Sequence, residues 1–153
     1  MADDTSAVFE PQAPVSGWLQ PLEGDAGPCG PDLEYDPEVQ ELEKAAAGKP
    51  ETQFSAAEPP AWPQVREMAT ALMERSRDLR IAMHWCRASL QIEGYAALPQ
   101  VLCLLQGLID GFWDTLHPLP DPDDGDAFAR VSALGGLDKL DGLLGDVRQA
   151  LLV

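Results

Sequence analysis

The chain has 153 residues, 26 of them acidic and 10 basic, for a formal charge of −16. That length suits one domain with a real core and is short for two, while the charge excludes a nucleic-acid ligand, because phosphate backbones are bound by Lys and Arg that replace counterions. The acids are unevenly spread, 13 against 2 bases in residues 1–60, 6 against 5 in 61–116 and 7 against 3 in 117–153, so a nearly neutral helical centre is expected between solvated acidic flanks.

Residues 1–31 are rich in Pro, Gly, Ser and acids with little periodicity; of these, 1–14 read as a mobile N-terminal tail, with a single helical domain over 15–153. Val15, Trp18, Leu19 and Leu22 are apolar enough to lie across a helical core. A first helix is expected from Asp36, whose carboxylate caps free N–H groups, with Pro37 in the first turn and Gly48 as the stop. Residues 49–61 hold three prolines and no helical stripe, and form a loop that delivers Trp62 and Pro63 to a second helix with the stripe Val65, Met68, Ala69 and Leu72.

Asp78 caps a third helix through Glu93, stopped by Gly94. Ile81, Ala82, Trp85, Cys86, Ala88, Leu90 and Ile92 cover so much of its circumference that it is the expected central helix. A fourth helix, Leu98 to Leu116, carries an apolar stripe that includes Phe112 and Trp113, and Pro118 prevents its continuation. After a short acidic loop, Asp126 caps a helix through Leu134, Gly135-Gly136 breaks it, and Leu137, Leu140, Leu144, Val147 and Leu151 form a last stripe. Nothing reads as a strand. The expected fold is all-α, an irregular bundle of about five to seven helices preceded by an extended N-terminal segment.

Little in the chain suggests chemistry. Asp121, Asp123, Asp124 and Asp126 gather carboxylates suited to a hard cation, but with Asp121 as the first position of a calcium loop Ser132 stands where a bidentate Glu is required. The expectation is that Asp126 caps its helix and pairs with Arg130 one turn on. His84, Cys86 and Cys103 lack zinc-ligand spacing, no Cys–His pair is marked as activated, and no glycine loop is followed by the residues of a phosphate-binding motif. No catalytic residue, metal or cofactor is assigned, and the chain is read as a non-enzyme.

Arg75, Arg77 and Arg80 flank Asp78 and are expected in internal salt bridges, and His117 is expected to approach free carbonyls at the end of the fourth helix. Trp113 lies on a core stripe and Trp62 does not, so Trp62, with the loop carboxylates Asp121, Asp123 and Asp124, is the candidate partner contact. The odd cysteine count without paired spacing fits a reducing cytoplasm. No N-terminal leader and no run approaching a bilayer span is visible, so no direct membrane insertion by this segment is expected.

Two stretches are far more particular than the rest: Pro28-Cys29-Gly30-Pro31-Asp32-Leu33-Glu34-Tyr35-Asp36-Pro37, and Phe112-Trp113-Asp114-Thr115-Leu116-His117-Pro118 running into Asp123-Asp124-Gly125-Asp126 and Arg130. With Arg75-Ser76-Arg77-Asp78-Leu79-Arg80 between them, this order closely resembles the ImpA-type N-terminal domain of TssA-like type VI secretion subunits, over roughly residues 14 to 152. The resemblance implies a cytoplasmic assembly component that contacts baseplate, inner tube or sheath subunits of a contractile machine. Asp36, Arg77, Asp78, Arg80, Trp113, His117, Asp126 and Arg130 would be its structural motif residues. It implies too that this is part of a longer protein, which would oligomerise through a C-terminal region missing here. An acidic helical adaptor or chaperone for secretion substrates is the alternative.

Overall fold

A computed structural model of the chain describes residues 10–137 and 142–150. They form seven α-helical segments: α1 Val15–Trp18, α2 Pro37–Ala47, α3 Trp62–Met73, α4 Leu79–Glu93, α5 Leu98–Phe112, α6 Phe128–Leu134 and α7 Leu143–Gln149. Among the described residues there is no sheet, only isolated bridges, so the fold is the expected irregular all-α bundle.

The helix starts follow the capping residues. Asp36 accepts from the Glu38 amide at 2.8 Å with Pro37 opening α2, and Asp78 accepts from the Arg80 amide at 2.8 Å at the head of α4. Both helices end at a glycine in a left-handed conformation, Gly48 at φ 67° and Gly94 at φ 65°, which an L side chain adopts only with strain. The loop before α3 is closed by paired backbone bonds between Lys49 and Glu58.

As its composition predicts, α4 is the central element, with nine buried residues, and α3, α5, α6 and α7 all pack on it. Ile92, on the last turn of α4, departs from the expected stripe: it is exposed, at the wall of the groove between the end of α4 and α7. The N-terminal segment docks as expected, but through a short helix: Val15 and Trp18 of α1 are buried, and the Trp18 and Trp85 rings meet edge to face at 5.2 Å. Leu19 lies on α5 at Gly107, where an added Cβ would fall 2.5 Å from a Leu19 methyl. Glu10 and Gln12 hydrogen-bond to Gln100 of α5.

Two boundaries differ from expectation. α5 ends at Phe112 and not at Leu116, since residues 116–118 leave the helix and pair with residues 77–79: the His117 amide donates to the Arg77 carbonyl at 3.2 Å and the Leu79 amide donates to the His117 carbonyl at 2.9 Å. Pro118 reinforces this by disfavouring helical backbone at His117. α6 begins at Phe128 with Ala127 in the capping position, and after Gly135 it gives way to a single 3₁₀ turn over Gly135–Leu137. In α7 the buried leucine is Leu143, while Leu144 is exposed; Leu140 and Leu151 of the expected stripe lie outside the described residues.

The continuous helical run Leu79–Phe112 is long enough to cross a membrane and holds an 18-residue window with a mean hydropathy of 1.3, contrary to the expectation that no run comes close. It reaches that length because one 3₁₀ turn, Gly94–Ala97, joins α4 to α5. Leu79, Ile81, Leu90, Val101, Leu104 and Leu108 of this run are buried in the core, while Ile92 and Leu102 are exposed.

Candidate functional site

The three motif blocks, distant in sequence, meet in one polar junction. Its centre is the turn Arg75–Asp78 between α3 and α4, and segment 28–36 lies against one side of it. Ser76 Oγ donates to the carbonyls of Cys29 at 3.1 Å and Pro31 at 2.8 Å, and the Arg77 amide donates to the Cys29 carbonyl at 2.7 Å. Gly30, at φ 72°, must be glycine here, since a Cβ would stand 2.4 Å from the Arg75 carbonyl oxygen. The third block closes the junction: His117 is buried and its Nε2 donates to the Gly30 carbonyl at 2.9 Å, while Cys29 Sγ and Thr115 Oγ1 share a hydrogen bond at 3.2 Å. His117 therefore binds a carbonyl, as expected, but of the 28–36 segment and not of its own helix end.

The three arginines of the turn divide. Arg75 pairs with Asp36 at 2.8 Å and Glu38 at 2.9 Å, and Arg80 with Asp78 at 2.7 Å and Asp32 at 3.2 Å, as expected. The hydrogen bond from Arg75 holds the Asp36 carboxyl below the usual range, and that from Arg80 to Asp78 holds the Arg80 guanidinium charged. Arg77 corrects the expectation of a salt bridge. It is buried and donates to the carbonyls of Met73, Gly17 at 3.3 Å and Gln20 at 3.1 Å, so it fastens α1 to the C-terminus of α3. Burial presses its pKa down; carbonyls exposed at a helix end are the partners that a buried guanidinium finds there.

Arg130 is the second correction. It is 1% exposed and does not pair with Asp126: Nε donates to the Pro118 carbonyl at 2.9 Å, a terminal nitrogen donates to the Leu116 carbonyl at 2.8 Å, and the guanidinium lies 4.5 Å from the centre of the Trp113 ring. The carbonyls left without helical partners when α5 ends early take the buried donor, whereas Asp126 is in solvent and accepts from the Phe128 amide at 2.9 Å. Trp113, expected on the core stripe, is 46% exposed because it follows the end of α5 and covers Arg130.

Asp121 and Asp124 turn one oxygen each onto loop amides, of Asp123 and Asp126 at 2.8 Å, and the neck of the loop is closed by the Asp121 amide donating to the Asp126 carbonyl at 2.9 Å. All four carboxylates of the loop are exposed. Trp62 is half-buried against the core with the Arg87 guanidinium 5.1 Å above its ring. Arg87 leads to a feature the sequence does not signal: Asp146 of α7 is buried and accepts from Arg87 at 2.7 Å and Gln91 at 2.8 Å. A separation of 59 residues gives no local pattern from which to read that pair.

The thiols are unsuited to nucleophilic work, since burial pushes Cys29, Cys86 and Cys103 up. Burial lowers His84 to about 4. A surface groove of about 420 Å³ runs between the end of α4 and α7, lined by residues including Gln91, Glu93, Tyr95, Asp146 and Gln149, with no histidine or cysteine in its wall.

Residues 19–139 match the family model described as ImpA, N-terminal, type VI secretion system. The chain belongs to the ImpA N-terminal family. Over 115 residues it is 44% identical to the type VI secretion system component TssA1 of Pseudomonas aeruginosa, an alignment covering 72% of this chain and 33% of that protein. The chain thus spans about a third of that relative's length. Among solved structures it is similar to the N-terminal domain, including the conserved ImpA_N region, of the TssA component of the type VI secretion system from Burkholderia cenocepacia, at 30% identity and a TM-score of 0.61, over 83% of this chain and 46% of that one. The ImpA N-terminal match takes in the whole junction and the Arg130 clamp, and stops before α7 and Asp146.

Proposed function

We propose that this chain is a non-enzymatic assembly module of a bacterial type VI secretion system, working in the cytoplasm by contact with other subunits of the machine: baseplate, inner tube or sheath. The family membership carries this reading, and the use made of the motif residues supports it. Arg77, His117 and Arg130 are buried and donate to backbone carbonyls, Asp36 and Asp78 cap α2 and α4, and Arg80 pairs with Asp78 and Asp32, so the set fastens helices and loops of the bundle to one another. Groups with displaced pKa values owe them to burial or to these internal bonds, not to a pocket that presents them to a substrate. A module built this way offers partners its surface, and Asp121, Asp123 and Asp124 are the expected contacts that stand free on it.

The test is a pull-down at low salt from lysate of the bacterium expressing its secretion machinery, with the 153-residue chain as bait and mass spectrometry as readout. Recovery of baseplate, tube or sheath subunits is expected. Recovery of secreted effectors alone would replace this reading with the adaptor one.

A further inference from the structure

The acidic loop does not stand alone. It leads directly into α6, whose outer face is apolar and uncovered: Phe128 is 73% exposed and Val131 64%, one turn apart on the side of the helix away from the buried Arg130. Leu119, before the loop, is also half-exposed. Phe128 and Val131 are among the most exposed large apolar side chains of the described residues, and they alone share a helix face at that exposure. Isolated exposed apolar residues are ordinary, but an exposed helical pair that follows directly on a loop of like charge is a docking pattern.

We propose that this surface, the outer face of α6 with the rim Asp121, Asp123 and Asp124, docks a basic amphipathic segment of a partner protein, apolar on one side and rich in Lys or Arg at its edges. This deepens the assembly reading and rests on it. Charge selects the occupant. Among the described residues no basic side chain pairs with the loop: Asp121 and Asp124 each accept from a backbone amide, and all three carboxylates are exposed. A second copy of the chain offers no match: in residues 119–131 its one base, Arg130, is buried, and it brings the same carboxylates to a molecule that already carries −16. A nucleic acid or an anionic membrane is repelled for the same reason. A basic segment gains on both counts: it buries Phe128 and Val131, and its cations meet carboxylates that pay little desolvation at the rim.

The probe is an 18-residue peptide of leucine and lysine ordered with helical periodicity, and the control has the same composition in scrambled order. Both are titrated into the isotope-labelled chain and followed by amide shifts. The ordered peptide is expected to saturate, with the largest shifts at residues 119–131, and Phe128→Ser with Val131→Ser is expected to weaken it about tenfold. Asp121, Asp123 and Asp124 changed together to Asn, which keeps the side-chain oxygens that accept from the loop amides, is expected to weaken binding at low salt and to flatten its salt dependence. Unchanged melting temperatures show that both variants fold. Equal binding of the scrambled peptide, binding unaltered in both variants, shifts centred elsewhere, or a dimer that the serine variant abolishes would each overturn the proposal. If the pull-down still recovers secretion-system subunits in that case, the assembly reading stands without this surface; if it recovers none while the peptide binds here, the assembly reading fails instead.

Discussion

Replacing Arg130 tests whether the family's motif residues are internal fasteners. Arg130→Met keeps most of the stem's packing and removes the guanidinium, leaving the buried carbonyls of Leu116 and Pro118 without the donors now at 2.8 and 2.9 Å. Each orphaned acceptor costs about 1–3 kcal/mol, and loss of the contact with the half-exposed Trp113 adds about 0.5–1 kcal/mol. Against this stands relief of the desolvation that lowers the Arg130 pKa. The balance is a loss of about 2–4 kcal/mol, which in a domain of this size lowers Tm by about 5–15 °C. Urea denaturation gives the free energy and a thermal scan the Tm. A double-mutant cycle with Asp126→Ala is expected to show no coupling, the Asp126 change alone costing about 1 kcal/mol through its bond to the Phe128 amide. Arg130→Met with unchanged stability, or coupling above about 1 kcal/mol to Asp126, would refute the clamp geometry.

Gly30→Ala puts a Cβ 2.4 Å from the Arg75 carbonyl at a φ of +72°, so it is expected to cost about 3 kcal/mol or more and to depress the yield of folded protein, read by circular dichroism and urea midpoint. His84 is neutral in the fold with a pKa of about 4 against an ordinary value of 6.5. The unfolded chain therefore binds the extra proton between those values, and stability should fall as pH drops from 6.5 towards 4; His84→Gln is expected to flatten that part of a stability-against-pH curve. Leu104→Ala, at a fully buried position, is expected to cost about 2–5 kcal/mol, and Leu102→Ala, half-exposed two residues away, less than about 0.5 kcal/mol; equal losses would mean that α5 presents a different face to the core.

Much of the helical frame was legible because local rules decide it. Asp36 with Pro37, Asp78, Gly48 and Gly94 mark starts and stops that need no tertiary partner, and the apolar girth of α4 announces its central place. What was not legible depended on partners far along the chain. Helical periodicity carries α5 through to Leu116, but the chain gains more by pairing His117 with residues 77–79, and that choice exposes Trp113 and orphans two carbonyls that draw Arg130 inward. Arg77 departs from expectation for a related reason: nearby acids suggest a salt bridge, while burial beside the end of α3 leaves carbonyls as its partners. The particular motif blocks pointed to the family, but only the fold shows that they form one junction.

If the chain works by touching other subunits of the secretion machine, photo-crosslinking in living cells will capture them, with a photoreactive residue at Val131 of the protein as its bacterium expresses it, and adducts identified by mass spectrometry. Adducts with baseplate, tube or sheath subunits are predicted at Val131 and absent at the buried control position Leu104. Adducts with secreted effectors alone would contradict a role in assembly.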